Sequence, residues 1–300
     1  MSTKSNSLPG SDAASPFLAP SGFPDPEEPS AVRGSRRSRR EAAEAAVHIE
    51  RRGRGTDVVV LHGAAMAPTH GKALAERLAA RFHVLSVHRP GYGASDPLRP
   101  YESAACLERI ETALLQAEVQ RPFVVGLSTG ADQAMALAIR GRIDVRGVVM
   151  IGAPHYGGEA RRAARAMART LRAGGDIRSA LTDRMLGPAG SEDLRSIGEV
   201  RKWLFASSQA DLAEELVAVS DDFADRRSSL ADLEIPVLLR MGTADRMAPS
   251  GYVASARQLM TSARVETVPG RGHALLLEDP EATAASIEHF LLEHTCGLGE

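Results

Sequence analysis

Strongly apolar residues along this chain fall mostly into short clusters, separated by longer segments in which apolar positions recur every three or four residues. Short clusters are typical of strands buried on both faces of a parallel sheet, and the longer repeats indicate helices. Because the two patterns alternate, we predict an α/β protein with a mostly parallel sheet flanked by helices. The predicted buried strands lie at 58–61, 84–87, 123–125, 148–151, 235–242 and 264–268.

The pattern changes at two places. Residues 47–50 alternate in the way of a half-buried strand, and the two glycines in 51–55 predict a hairpin turn after it. Residues 154–232 contain no strand candidate, and we predict an inserted all-helical cap there, because the α/β pattern resumes afterwards. Its predicted helices are 159–172, 176–185, 192–206 and 210–223.

Residues 1–44 are rich in Ser, Pro and Arg and have almost no periodic apolar pattern. Such a segment buries too little surface to offset the entropy of ordering, so we predict a disordered arm. Its arginine cluster is followed by an acidic rather than an apolar segment, which argues against an export signal. The predicted organisation is an arm at 1–44, an α/β core at 45–153 and 233–300, and a cap at 154–232.

Composition excludes several classes of function. A formal net charge of −2 gives no overall field for nucleic acid or acidic lipid, and no apolar run is long enough to cross a membrane. The two cysteines, Cys106 and Cys296, offer neither metal-ligand spacing nor a disulfide framework. We therefore expect a cytoplasmic protein with free thiols, no metal, no cofactor, and no nucleic-acid or membrane partner. A homodimer stays open.

The most informative stretch is Gly126-Leu127-Ser128-Thr129-Gly130, between an apolar run and an alanine-rich helical segment. A serine at a tight strand-to-helix turn, with glycine two positions to either side, is typical of a nucleophile elbow. The backbone N–H of Thr129 then lies in the first turn of a helix, where donors lack internal partners and negative charge is favoured.

With this elbow, four other motifs make the chain from about residue 47 onward resemble the α/β-hydrolase fold superfamily, as a capped member with a serine nucleophile. In chain order the four are His62-Gly63, Arg89-Pro90-Gly91-Tyr92-Gly93-Ala94-Ser95, Gly242-Thr243-Ala244-Asp245 and Gly272-His273. The resemblance implies a Ser-Asp-His triad of Ser128, Asp245 and His273, with an oxyanion hole formed by the N–H groups of Thr129 and Ala64. A shift of the loop by one residue would replace Ala64 with Ala65.

The chemistry needs these residue types independently of the resemblance. A serine hydroxyl requires a base to attack a carbonyl, and an imidazole accepts and returns a proton near neutral pH. An aspartate on the other ring nitrogen fixes the tautomer and stabilises the imidazolium. His62 is expected to hold its loop. Asp132 either meets solvent or a cap residue, or faces the pocket and repels anionic substrates.

The leading hypothesis is a serine hydrolase that cleaves an ester, lactone or thioester of a small apolar substrate through an acyl-enzyme on Ser128. One alternative keeps the triad but catalyses acyl transfer, elimination or C–C bond hydrolysis, as in secondary metabolism. Another is a ligand receptor without turnover. The cap should contribute to the substrate pocket, and the candidate binding residues are Ala65, Tyr156, Met185, Trp203, Phe205, Phe223 and Met247.

Overall fold

A computed structural model describes residues 46–152, 158–222, 233–247, 251–260 and 263–295. All of these ranges belong to one compact unit, Arg36–Glu300. The predicted arm at 1–44 lies outside the described residues, as do Tyr156, Phe223 and Cys296.

In the described part of the chain, seven strands form one sheet. They are β1 (Ile49–Arg52), β2 (Asp57–Leu61), β3 (His83–Val87), β4 (Phe123–Leu127), β5 (Gly147–Ile151), β6 (Val237–Gly242) and β7 (Arg264–Val268). Their order across the sheet is β1-β3-β2-β4-β5-β6-β7. Among these strands, β1 runs antiparallel to its neighbour β3, and the other pairings are parallel. This mostly parallel sheet confirms the predicted fold class.

The hairpin predicted at 51–55 is wrong. Strand β1 pairs with β3, which lies between β1 and β2 in the sheet. An alternating pattern and a glycine-containing turn reveal that the chain reverses, but they do not reveal which strand it pairs with.

The central strands bury side chains on both faces of the sheet. Val58 and Val60 of β2 belong to one apolar cluster, whereas Val59 and Leu61 belong to another. This alternation explains why the central strands read as continuous apolar runs. It also leaves the carboxyl ends of the parallel strands together at one edge of the sheet.

Helices flank the sheet on both faces, and α3 (Thr129–Arg140) shows how the sequence fixes their limits. It starts directly after Ser128 and ends before Gly141, which takes a left-handed φ of +64° and donates its N–H to the carbonyl oxygen of Leu137. The helices before β5 are α1 (Lys72–Leu78), α2 (Ser103–Gln116) and α3 (Thr129–Arg140). The inserted segment, between β5 and β6, contains α4 (Gly158–Arg172), α5 (Arg178–Met185), α6 (Pro188–Glu192), α7 (Leu194–Ala206) and α8 (Gln209–Asp222). The remaining helices are α9 (Tyr252–Leu259), α10 (Leu275–Glu278) and α11 (Pro280–Thr295).

Helices α4 to α8 all lie between β5 and β6 in the chain. Helices α4 and α8 pack against each other, and both contribute buried residues to the apolar cluster that also contains Val58 and Val60. Among the described residues, no helix is both long and apolar enough to cross a membrane.

Candidate active site

Ser128 occupies a strained turn between β4 and α3. Its backbone has a φ of +52°, a region that L-residues other than glycine rarely adopt. The flanking glycines are sterically required: a Cβ on Gly126 would lie 2.2 Å from the carbonyl oxygen of Gly130, and a Cβ on Gly130 would lie 2.3 Å from that of Leu61. The predicted elbow geometry is therefore present around Ser128.

The three predicted triad residues come together, although they are distant in sequence. His273 Nε2 lies 2.8 Å from Ser128 Oγ, and His273 Nδ1 lies 2.9 Å from Asp245 Oδ2. The His273 and Asp245 side chains are each 1% exposed. The second carboxylate oxygen of Asp245 accepts the N–H of Met247 at 2.8 Å. This chain of contacts can carry a proton from the hydroxyl to the imidazole while the carboxylate holds the ring.

The charge environment of His273 favours its protonated form. Burial lowers the pKa of His273, but the charge and hydrogen bond of Asp245, together with the charges of Asp132 and Glu278, raise it by more. The pKa of His273 is therefore raised above its ordinary value of 6.5. Asp132, which is half-buried in the first turn of α3, thus acts electrostatically on the imidazole.

The inserted segment holds the loop that carries His273. The carbonyl oxygen of Met185, at the end of α5, accepts the N–H of His273 at 2.8 Å and that of Ala274 at 3.1 Å. Gly272 is needed for this approach, because a Cβ there would lie 2.4 Å from the nitrogen of Gly187. The position of His273 therefore depends on residues far from it in the chain.

Glu278 connects the same two loops and was not predicted from sequence. Its two carboxylate oxygens accept the N–H groups of Gly187 and Gly272, each at 3.0 Å. Burial raises the pKa of Glu278, and the two N–H donors oppose that rise. A carboxylate in the helix after His273 carries no sequence signal for this role, since its partners are backbone groups in two separate loops.

The loop after β2 contains the predicted second oxyanion donor. The N–H of Ala64 donates to Oγ1 of Thr129 at 2.6 Å. The N–H of Ala65 donates to Tyr92 Oη at 2.8 Å and to Glu215 Oε2 at 3.3 Å. Ala65 has a φ of +54°, so the loop makes a sharp turn at this residue. Both candidate donors are thus near the elbow side of the sheet, and each already has a partner.

A second buried polar group, which we call the Arg89 cluster, lies beside this loop. Arg89 of the core pairs with Glu215 of α8 at 2.9 Å, and their side chains are 0% and 5% exposed. Burial alone would lower the pKa of Arg89, but the oxygens of Tyr101 and Glu215 raise it well above its ordinary value. The Arg89 cluster comprises Arg89, Tyr92, Tyr101, Gln133 and Glu215, joined by side-chain hydrogen bonds.

His62 fits the structural role expected of it. Its Nε2 accepts the N–H of Arg89 at 3.1 Å, and its Nδ1 lies 3.0 Å from the carbonyl oxygen of Gly63, which assigns the ring proton to Nδ1. Burial, together with the Arg89 charge, lowers the pKa of His62 well below 6.5. The neutral ring therefore ties two loops together.

A cavity of about 390 Å³ borders this site between the 90–101 loop and helices α7 and α8. Two of the predicted substrate-binding residues, Ala65 and Trp203, line it. The ring of Trp203 stacks edge-on against His70 with centroids 4.1 Å apart. Burial, with a smaller effect of the His273 charge, lowers the pKa of His70 to about 4, so this ring is neutral. Ser128, Asp245 and His273 are not among the lining residues of the cavity.

The other predicted binding residues are distributed differently. Met185 and Met247 pack in the same apolar cluster as Ala65 and Trp203. Phe205 is 47% exposed, and the Arg178 guanidinium lies 4.0 Å from its ring centre. Phe205 therefore lies on the helix surface, because positions two apart on α7 point in nearly opposite directions and Trp203 takes the buried one. Its role in substrate binding stays a prediction. Tyr156 and Phe223 lie outside the described residues.

Within the described ranges, His48, Glu50 and His88 bring potential metal-ligand atoms within 4.8 Å of one another. His88 Nδ1 accepts the N–H of Ala94 at 3.1 Å, so we assign the ring proton to Nε2, which donates to Glu50 at 3.1 Å. A metal-binding histidine normally donates from its second ring nitrogen, and this ring has no proton there. The group therefore fits a hydrogen-bonded cluster better than a metal centre.

Comparison with known proteins identifies relatives of this chain. A model of the alpha/beta hydrolase family matches residues 58–286. The pimeloyl-[acyl-carrier protein] methyl ester esterase of Nitrosomonas europaea is 29% identical over 251 residues, which cover 79% of this chain and 96% of that protein. The enzyme of the same name from Stenotrophomonas maltophilia is 29% identical over 259 residues, covering 82% and 96% of the two chains.

A thermophilic esterase from Thermogutta terrifontis shares the fold. Its structure superposes with a TM-score of 0.74 at 22% sequence identity, covering 83% of this chain and 94% of that one. At this level of identity the likeness supports the architecture alone.

Proposed function

The chain belongs to the alpha/beta hydrolase family, and from that premise we propose that it is a serine hydrolase that cleaves a carboxylic ester through an acyl-enzyme on Ser128. The observation that carries the proposal is the continuous contact from Ser128 Oγ through His273 to Asp245, at 2.8 Å and 2.9 Å. Both relatives described above are named as ester hydrolases, which supports the same class of reaction.

In the acylation step, Ser128 Oγ attacks the carbonyl carbon of the ester while its proton passes to His273 Nε2. The tetrahedral intermediate then collapses, the C–O bond to the alcohol breaks, and the alcohol leaves with that proton. The raised pKa of His273 suits it to hold the proton between these events. The buried Asp245 carboxylate stabilises the transient imidazolium.

In the deacylation step, water loses a proton to His273 and attacks the acyl carbon. The Ser128–acyl bond breaks, the serine recovers its proton, and the carboxylic acid leaves. The reaction needs no metal or cofactor, since every proton transfer uses a side chain of this chain. The N–H of Thr129, at the start of α3, stabilises the negative charge that develops on the carbonyl oxygen. The loop that carries Ala64 lies beside Thr129.

We further propose that α4 to α8 form a cap over the site. The hydrogen bonds from His273 and Ala274 to Met185, and the contact of Glu215 with Arg89, support this arrangement. The cap would then supply the apolar surface for the substrate, with Trp203, Met185 and Met247 as its main contributors. Because α8 reaches the Ala65 loop through Glu215, the cap would also help to fix the shape of the oxyanion site.

Helix α4 supports a finer proposal about the substrate. Arg162, Arg165, Arg169 and Arg172 are all exposed, and their spacing of three, four and three residues puts them on one stripe. Within the described ranges, no ion pair involves Arg162, Arg169 or Arg172. A stripe of this kind fits an acidic protein surface, and the relatives are named for a substrate attached to acyl carrier protein. We propose that the ester is presented on such a carrier.

The reaction class is tested by steady-state turnover of p-nitrophenyl and methyl esters. Ser128→Ala should lower kcat/KM by a factor of about 10⁴ or more, whereas Ser179→Ala, at an exposed serine of α5, should leave it unchanged. Full turnover by Ser128→Ala would refute the proposal. Absence of turnover by the unaltered protein, with intact binding of the ester, would favour the receptor alternative.

The carrier proposal is tested by reversing the charge of the stripe. The triple variant Arg162→Glu, Arg169→Glu, Arg172→Glu should lose at least about tenfold in kcat/KM on a carrier-linked methyl ester. It should keep its activity on the same ester attached to pantetheine. A control variant with Arg54→Glu and Arg257→Glu, at two exposed arginines outside the inserted segment, should keep its activity on both esters. If the triple variant changes kcat/KM by the same factor on both esters, the carrier proposal is contradicted and the reaction class stays intact.

A further inference from the structure

The N–H of Ala64 is the expected second donor to the oxyanion, yet it points at another residue. It lies 2.6 Å from Oγ1 of Thr129, the residue directly after the nucleophile. Thr129 is only 5% exposed, so this contact is shielded from competing water. A substrate oxygen could reach the Ala64 N–H only by displacing the threonine hydroxyl.

The alternative donor, Ala65, is engaged as well. Its N–H donates to Tyr92 Oη and to the Glu215 carboxylate, which is itself paired with Arg89. A carboxylate at 3.3 Å from that nitrogen would repel a developing oxyanion. Neither N–H of this loop is therefore open to the substrate in the free protein.

Thr129 has two donor groups of its own. Its backbone N–H is at the first position of α3, where it has no partner within the helix. Its hydroxyl accepts from Ala64, so the hydroxyl hydrogen must point away from that N–H. Within the described part of the chain, no acceptor is recorded for either group. The N and Oγ1 atoms are three covalent bonds apart, which allows both groups to donate to one oxygen.

We propose that Thr129 supplies both donors to the oxyanion, through its backbone N–H and its side-chain hydroxyl. The Ala64 N–H then acts indirectly. By donating to Oγ1 it polarises the Thr129 hydroxyl and strengthens the hydrogen bond that this hydroxyl donates to the oxyanion. This inference rests on the proposed acyl-enzyme reaction and adds a catalytic residue to it. It also explains why a hydroxyl-bearing residue is useful at this position.

The test compares Thr129→Val, which keeps the shape and removes the hydroxyl, with Thr129→Ser, which keeps the hydroxyl. The valine variant should lose at least about tenfold in kcat, up to the 10²–10³-fold typical of one lost oxyanion donor, with KM changed by less than about threefold. The serine variant should stay within a few-fold of the unaltered protein. Affinity for a trifluoromethyl ketone, which forms a tetrahedral adduct on serine, should fall in the valine variant alone.

Unchanged or increased kcat in Thr129→Val would overturn the inference, because the hydroxyl would then only fill the site. Loss of kcat in both variants, with equal loss of ketone affinity, would also overturn it and assign Thr129 a packing role. Thermal unfolding of each variant separates a misfolded protein from a slow one, and Thr129→Ala replaces the valine variant if the latter unfolds. Failure here with an inactive Ser128→Ala refutes only the role of Thr129, whereas an active Ser128→Ala refutes the proposed reaction.

Discussion

The molecule contains two buried polar groups beside each other, the Ser128–His273–Asp245 contact chain and the Arg89 cluster. Both join residues that are far apart in sequence, and in both the key side chains are almost fully buried. They differ in whether a change of pH alters the charge of their central side chain. Despite burial, Asp245 and the charges near it raise the pKa of the His273 imidazole above its ordinary value of 6.5, and this ring can exchange a proton. Despite burial, Tyr101 and Glu215 raise the pKa of Arg89 well above its ordinary value, so the guanidinium stays charged. Burial and hydrogen bonding are common to both, and only the first can exchange a proton.

This difference predicts opposite phenotypes for the two groups. His273→Ala should lower kcat on ester substrates by about 10⁴-fold or more, because the serine loses its base. The midpoint of thermal unfolding should fall only by the contribution of the His273–Asp245 pair. Both quantities are measured on the same preparation. A variant that unfolds but retains its activity per folded molecule would reverse the assignment of roles.

The Arg89 cluster should respond through stability. Glu215→Gln leaves the buried Arg89 cation without its carboxylate and should lower the free energy of unfolding by about 3–5 kcal/mol. The double variant Arg89→Met, Glu215→Leu removes both charges and should recover much of that loss, as measured by denaturant unfolding. If the double variant is as unstable as the sum of the two single variants, Arg89 and Glu215 are not coupled.

The smallest expected effect is on pH dependence. Catalysis needs neutral His273, so kcat/KM should rise with pH through a midpoint above 6.5, the direction in which the pKa of His273 is displaced. Asp132→Asn removes one of the charges that raise this pKa and should move the midpoint down. A midpoint in the unaltered protein below 6.5 would contradict the electrostatic account.

The raised pKa of His273 also has a consequence for the free energy of unfolding. Because the pKa of His273 is higher in the folded protein than in the unfolded chain, protonation of this residue favours the fold. Its contribution to the free energy of unfolding is complete below pH 6.5 and is lost as the pH rises through the folded pKa. His273→Ala should remove this component of the pH profile.

The resemblance to α/β hydrolases predicted Ser128, Asp245 and His273, and they come together because each follows a strand at the same edge of the parallel sheet. A Cβ on Gly126, Gly130, Gly242 or Gly272 would lie 2.0–2.4 Å from its nearest neighbour, so these positions require glycine for steric reasons. Strand order was less accessible: the pattern at 47–55 predicted a hairpin, whereas β1 pairs with β3.

Contacts between residues that are far apart in the sequence could not be predicted in the same way. Glu215 has its role because α8 reaches the core at Arg89, and Glu278 because two loops present their N–H groups to it. Each is a single carboxylate on a helix, and its local sequence does not identify the group that it contacts. The engagement of Ala64 by the Thr129 hydroxyl is likewise a property of two loops meeting, and no spacing reveals it.

The central claim is that Ser128 is the group that attacks the substrate. The most direct measurement is mass spectrometry of the protein after reaction with a fluorophosphonate, which reacts with an activated serine. We expect one adduct per chain, located on Ser128, and a reaction that His273→Ala slows strongly. An adduct on any other residue, or equal reaction rates with and without His273, would contradict it.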